Sequence, residues 1–472
     1  MTTLDFTGLR RRSLLRAGAG ASLLPGAAML PRAAVAADYK ALVCIHLFGG
    51  NDALNMIVPT DPSHHERYAS VRARLALPRD RLLPLEGTGV GLHPAMGSLA
   101  ELWRRGRAVP VFNVGPLERP LTKAAYLEAE RNGELPERLF SHADQISLWD
   151  TASLTSSTRS GWGGRASEAL ATTNPVVSVA GTSRFGSGVR QSPWVLPPSG
   201  TDFIAHGIDP ASSQAAERSR RAALDALMTH PPSSALGQVY AATQQRALDL
   251  SARLSALVRI QPGDPQGVAA IDQAFAPLIK NGDVATALGK QLYQVAKLIA
   301  GRTALGGDRQ IFFTSMGGFD THRSQAVPGE PLAGRQAPLL AELADALAAF
   351  HAAMDALGIG DGVTTFTQTE FGRTFAPNRN DGTDHGWGNT QWVAGAAVQG
   401  GTTYGRYPEL VLGGDDDVSP PGPTALGRWI PSASVDQYAA TLLGWFGVTE
   451  AQLDAALPNL QRFGEQRRLG FL

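Results

Sequence analysis

Cysteine is almost absent from these 472 residues: Cys44 stands alone, which excludes any intramolecular disulfide. Lysine is scarce as well, limited to Lys40, Lys123, Lys280, Lys290 and Lys297, and the basic side chains are otherwise arginine. The formal net charge is zero and no basic stripe with interleaved aromatics occurs, which argues against a nucleic-acid partner. Apolar runs beyond the N-terminal segment read as too short to span a bilayer, so no stable membrane span is expected. Internal repeats are lacking.

What is present begins with a leader. Arg10-Arg11-Arg12-Ser13-Leu14-Leu15-Arg16 is a twin-arginine arrangement followed by an Ala/Gly-rich, weakly apolar run from Ala17 to Leu30. Ala34-Val35-Ala36 supplies the small-x-small pattern of a signal-peptidase site. Residues 1–37 are therefore expected to be a signal peptide that engages the twin-arginine translocase. The mature chain is then periplasmic or extracellular, and a lone cysteine suits export after folding.

Residues 38–472 are long enough for one large α/β domain. KALVCIHLF, Lys40 to Phe48, is a continuous apolar run bounded by Gly49-Gly50-Asn51-Asp52, which predicts a buried strand ending in a tight loop. Helical spacing from Ala95 to Arg105 precedes a second strand, Ala108 to Val114, and that order argues for a parallel sheet covered by helices. A helix is predicted to open near Ser141, after which Ser153–Gly164 is rich in serine, threonine and glycine. A short strand is expected at Pro175–Ala180. Residues 205–305 read as a helical insertion. Strands follow at Gln310, Val363–Thr369 and Gln391–Val398, with helices at Gly334–Leu357 and Val435–Trp445.

Polar residues collect at these strand ends, where open α/β sheets place their chemistry. They are Asp52 after the first strand, Asp320 and His322 in GGFDTH, Glu370 and Arg373 in TEFGRT, and Asp384-His385 before the strand at 391. Asp, Glu and His suit zinc, manganese, magnesium or calcium. Asp320 and His322, two apart, point to one side of an extended loop, whereas adjacent Asp384 and His385 do not share a face. Ser141 at a helix start could face an anion, or simply cap its helix. His142 could orient it or be a partly buried helix residue. His46 reads as a core histidine, His64 and His65 as surface residues, and His93 as a cap before the next helix. Asp415-Asp416-Asp417 reads as a solvated loop.

The leader together with HLFGGNDALNMIVP, LFSHADQISLW, SGWGGR, GGFDTHRSQ, TEFGRT and GTDHGWGNTQWVAG resembles a large bacterial family catalogued as a domain of unknown function (number fifteen-oh-one). That family is similar, more remotely, to the alkaline phosphatase, sulfatase and phosphoglycerate mutase superfamily. The resemblance implies a doubly wound, mostly parallel α/β fold of alkaline-phosphatase type. It implies a divalent metal held by Asp52, Asp320, His322, Glu370 and His385, Ser141 as nucleophile, and Arg373 on a substrate anion. The sequence departs from the superfamily in spacing its Asp and His by two rather than four, and in carrying Glu370-Phe371 where Asp-His is usual. Cys44 lies within a strand, which argues against a formylglycine mechanism. The implied activity is metal-dependent hydrolysis of phosphate or sulfate esters in a small-molecule or polymer substrate. The alternative is a non-catalytic periplasmic binding or assembly protein with a degenerate metal site.

Overall fold

Leu42, Val43, Cys44 and Ile45 are all fully buried, as a strand covered on both faces requires. The structure is a computed structural model that describes residues 39–472 apart from 172–173, 202, 204–206, 210–211 and 231–232. The leader motif and its cleavage pattern lie outside the described residues.

The main sheet comprises β1 Lys40–Leu47, β2 Ala108–Gly115, β3 Val177–Ser178, β4 Trp194–Val195, β5 Arg309–Met316, β6 Val363–Gln368, β7 Asn389–Gly395, β8 Tyr404–Gly405 and β9 Ala433–Ser434. Its order is β8-β2-β7-β6-β1-β5-β3-β4, with β9 also on β2. In the central register Val43 lies opposite Phe312 on one side and Thr365 on the other, and both pairings are parallel. β7 alone runs against its neighbours β6 and β2. The sheet is thus mixed but mostly parallel, as an α/β protein's should be. The reversal of β7 matters for the site, because it brings the loop before β7 to the edge where the parallel strands end.

The principal helices are α1 Gly97–Arg104, α2 His142–Thr151, α3 Ala215–Thr229, α4 Ala235–Arg259, α5 Ala287–Ala300, α6 Gln336–Ala356 and α7 Val435–Phe446. Adjacent strand residues point to opposite faces. On β6, Thr365 bonds His351 of α6, while Phe366 lies 6.1 Å from the Tyr438 ring of α7. Helices therefore cover both faces. α6, 21 residues with a hydropathy of 1.2, meets the length and composition of a membrane-crossing helix, contrary to expectation. Leu340, Leu343, Leu347, Phe350 and Met354 are buried in the core instead.

The expected insertion over 205–305 divides in two. α3 has no buried residue, whereas α5 buries Leu288, Leu292, Val295 and Ile299 and contacts β5. Sequence reasoning did not see the helix Pro62–Arg72, whose surface is polar. It also did not see the three short strands Ile57–Pro59, Leu83–Leu85 and Val90–Leu92, nor the helix Trp162–Ala169 in the Ser/Thr/Gly-rich stretch. Asp415–Asp417 was expected to be a solvated loop, but only Asp415 is exposed. Asp417 is fully buried and accepts from the backbone N–H groups of Gly413, Ser419, Gly427 and Arg428. A run of acids looks solvated in sequence, but unpaired loop amides attract a carboxylate inward.

Candidate metal centre

Four chain segments meet at the carboxyl edge of the sheet. The loop after β5 carries Asp320 and His322, and the segment after β6 carries Glu370 and Arg373. The loop entering β7 carries His385, and the first turn of α2 carries His142. Gly49 and Gly50, after β1, hold φ of 118° and 77°. A side chain at Gly49 would overlap the Asp320 backbone, and one at Gly50 the Phe371 ring, so the close approach of these loops requires glycine.

His142, Asp320, His322 and His385 each offer one ligand atom, and these atoms lie within 4.8 Å of one another. From Asp320 Oδ1 the Nε2 atoms of His142, His322 and His385 lie at 3.5, 3.2 and 3.7 Å. His322 Nε2 and His385 Nε2 are 2.8 Å apart. Ligands about 2.0–2.1 Å from a tetrahedral ion are separated by roughly 3.3 Å, so these spacings straddle what zinc requires. The cluster could hold a metal ion.

The outer ring nitrogens support the same reading. His142 Nδ1 lies 2.8 Å from Glu370 Oε1, His322 Nδ1 2.9 Å from Asp384 Oδ1, and His385 Nδ1 2.7 Å from the Phe140 carbonyl. Carboxylates and carbonyls only accept, so each Nδ1 carries hydrogen, and in the neutral ring Nε2 keeps its lone pair for the centre. Burial pushes the His385 pKa below its usual value, favouring that neutral form. Burial would raise the Asp320 pKa, but the hydrogen bond and charge of Arg373 hold the carboxyl below the usual range. With 48 % of the Asp320 side chain exposed and 39 % of His322, the cluster opens to solvent.

Over residues 39–421 the sequence matches the family model described as Protein of unknown function (DUF1501). The chain belongs to this family. The matched region of this DUF1501 member contains all four clustered side chains, and no curated protein matches its sequence.

Three of the five expected metal ligands in this DUF1501 chain, Asp320, His322 and His385, are brought together. Two are not. Asp52, 1 % exposed, is held by both terminal nitrogens of Arg72 at 2.7 Å and by Gln325 Nε2 at 2.5 Å, so its oxygens are already occupied. Glu370 stands behind His142 rather than in the cluster, and also accepts from Gly49 N at 2.7 Å. Burial would raise the Glu370 pKa, but the hydrogen bond from His142 and the nearby His46 ring hold it far below the carboxylate range.

Arg373, expected on a substrate anion, is buried. It spends its donors on the carbonyls of Gly49, Gly50 and Thr383 and on Asp320. Ser141 is the N-cap of α2, but its hydroxyl caps nothing. It donates to Asp144 Oδ2 at 2.7 Å. Phe140 holds φ of 73°, a strained value for a bulky residue, and that turn presents its carbonyl to His385. His142 is the clustered residue that sequence reasoning did not assign. Its available signal was position: it begins the helix next to Ser141.

Proposed function

We propose that this chain is an exported, metal-dependent hydrolase of phosphate or sulfate esters with an alkaline-phosphatase-like fold. The observation that carries the reading is the solvent-open cluster of three imidazoles and one carboxylate, whose member His142 directly follows Ser141. The finer fold assignment draws support from the cluster's place at the ends of parallel strands, where such sheets bind ligands.

The chain's own residues divide the work as follows. His142, Asp320, His322 and His385 would hold the ion, which when bound polarises an ester oxygen as a Lewis acid. Ser141 Oγ attacks phosphorus or sulfur and passes its proton to Asp144 as the bond to the leaving oxygen breaks; water then hydrolyses the seryl ester. Arg428 is better placed than Arg373 to meet the anion. Its Nε bonds the His385 carbonyl at 2.8 Å, and its guanidinium lies 4.4 Å from the Phe140 ring. Hydrolysis of a generic aryl phosphate or aryl sulfate by the zinc-loaded protein, and its loss on chelation, is the expected outcome. Zinc binding with no turnover of either ester would end the hydrolase reading.

A second reading has one observation in its favour: Arg373 occupies the same Asp320 oxygen that an ion would use. On that reading the chain is a binding or assembly protein with a degenerate site. A purified protein that binds no zinc or manganese would favour it.

A further inference from the structure

We propose that His46 is a positioning residue for the metal centre, gripping Glu370 from inside the sheet so that Glu370 can fix His142. The inference rests on the metal-centre reading above.

His46 lies on β1, fully buried, beneath the loops that form the site. Its Nε2 makes no hydrogen bond but lies 3.7 Å from Glu370 Oε2. Its Nδ1 lies 3.6 Å from Asp150 Oδ1 and 2.9 Å from Gln368 Nε2, and that amide also donates to Asp150 Oδ1 at 2.8 Å. The ring stacks on Phe48 at 3.9 Å, which fixes its plane. Asp150, His46, Glu370 and His142 thus form one continuous chain, and its first three members are at most 2 % exposed.

Folding alone gives little reason for this chain. Removing two carboxylates and an imidazole from water costs free energy that an apolar set of similar volume would not. The arrangement makes sense at its outer end. Glu370 Oε1 accepts from Gly49 N and faces His142 Nδ1, while Oε2 faces His46 Nε2 at 3.7 Å. A carboxylate fixed at Oε1 and flanked by His46 at Oε2 is restrained from rotating, which keeps the His142 ring turned with Nε2 toward Asp320. With Gln368 Nε2 donating to Nδ1, the ring hydrogen sits on Nε2 and points toward Glu370 Oε2.

The test is zinc affinity of the full mature protein, measured by Zn2+ competition with a chromophoric chelator, alongside the melting temperature of the metal-free protein. His46→Leu is expected to weaken Zn2+ binding by about 10–100-fold, the usual effect of losing an outer partner of a ligand. The metal-free variant should melt no lower than wild type. His46→Gln, which restores a donor, should recover part of the affinity. Should His46→Leu not fold, Asp150→Asn keeps the ring and weakens its anchor, and a smaller loss of affinity is expected. Wild-type affinity in the folded variants, or a loss matched by destabilisation of the metal-free protein, would overturn the inference and leave the metal centre standing. A wild-type protein that takes up no Zn2+ would end both.

Discussion

His322 Nε2 faces His385 Nε2 at 2.8 Å while the other nitrogen of each ring is held by an acceptor, Asp384 Oδ1 for His322 and the Phe140 carbonyl for His385. Both facing atoms are then bare lone pairs, which repel at that separation unless something positive lies between them. Asp320 Oδ1 adds a third electron-rich atom 3.2 Å from His322 Nε2. The arrangement could hold a cation at its centre.

The metal-free protein is accordingly expected to take up about one equivalent of Zn2+, seen by elemental analysis after desalting. His385→Ala and His322→Ala should each lose more affinity than the 10–100-fold typical of an outer partner, since each removes a direct ligand. Retention of full metal content in both variants would place the ion elsewhere.

Asp52 should behave as a structural residue. It is paired on two oxygens with Arg72, and both side chains are fully buried. Removing one member of such a pair strands the other charge, at about 3–5 kcal/mol. Asp52→Asn is therefore expected to lower the urea midpoint sharply while the folded fraction keeps its zinc. Loss of zinc at unchanged stability would instead return Asp52 to the site.

Ser141 and Asp144 should matter for turnover but not for metal. Ser141→Ala is expected to abolish hydrolysis of an aryl phosphate or sulfate with zinc affinity unchanged, because a hydroxyl bonded only to Asp144 supports no ligand. Asp144→Asn should cost roughly 10²–10⁴-fold, the range for removing a general base. Full activity in Ser141→Ala would require another nucleophile.

Acid sensitivity should come in part from buried histidines outside the cluster. Burial lowers the pKa of His351 to about 3 and that of His93 to about 4, against 6.5 for a free imidazole. The unfolded chain therefore takes up these protons first as pH falls. The stability they contribute is complete above about pH 6.5 and is lost as pH falls toward their folded values. His351→Leu should flatten the fall in melting temperature between about pH 6.5 and pH 4. An unchanged slope would mean that other groups control it.

Export makes a prediction of its own. If Arg11 and Arg12 direct the twin-arginine route, changing both to Lys should leave precursor in the cytoplasm on fractionation. Periplasmic delivery of that double variant would refute the route.

Most of the framework was legible before the structure. Periodicity placed β1, β2, β5 and β6 and the helices α1, α6 and α7 within a few residues, because each carries a long apolar run or a clear helical spacing. Asp320, His322 and His385 stood out as polar residues beside glycine at strand ends. The helix Pro62–Arg72 was not legible, since only Tyr68 and Arg72 are buried along it. His142 was weighed only as a companion of Ser141.

The sequence by itself determined an α/β sheet with its acids and imidazoles gathered at one edge, because apolar runs and the glycines after them are local properties. Only the tertiary structure decided which of those residues keep free lone pairs. Asp52 is taken by Arg72, twenty positions away, and Glu370 is taken by His142 and His46, each contributed by a different segment. A carboxylate is a ligand only when no other partner occupies it, and that depends on neighbours brought close by folding.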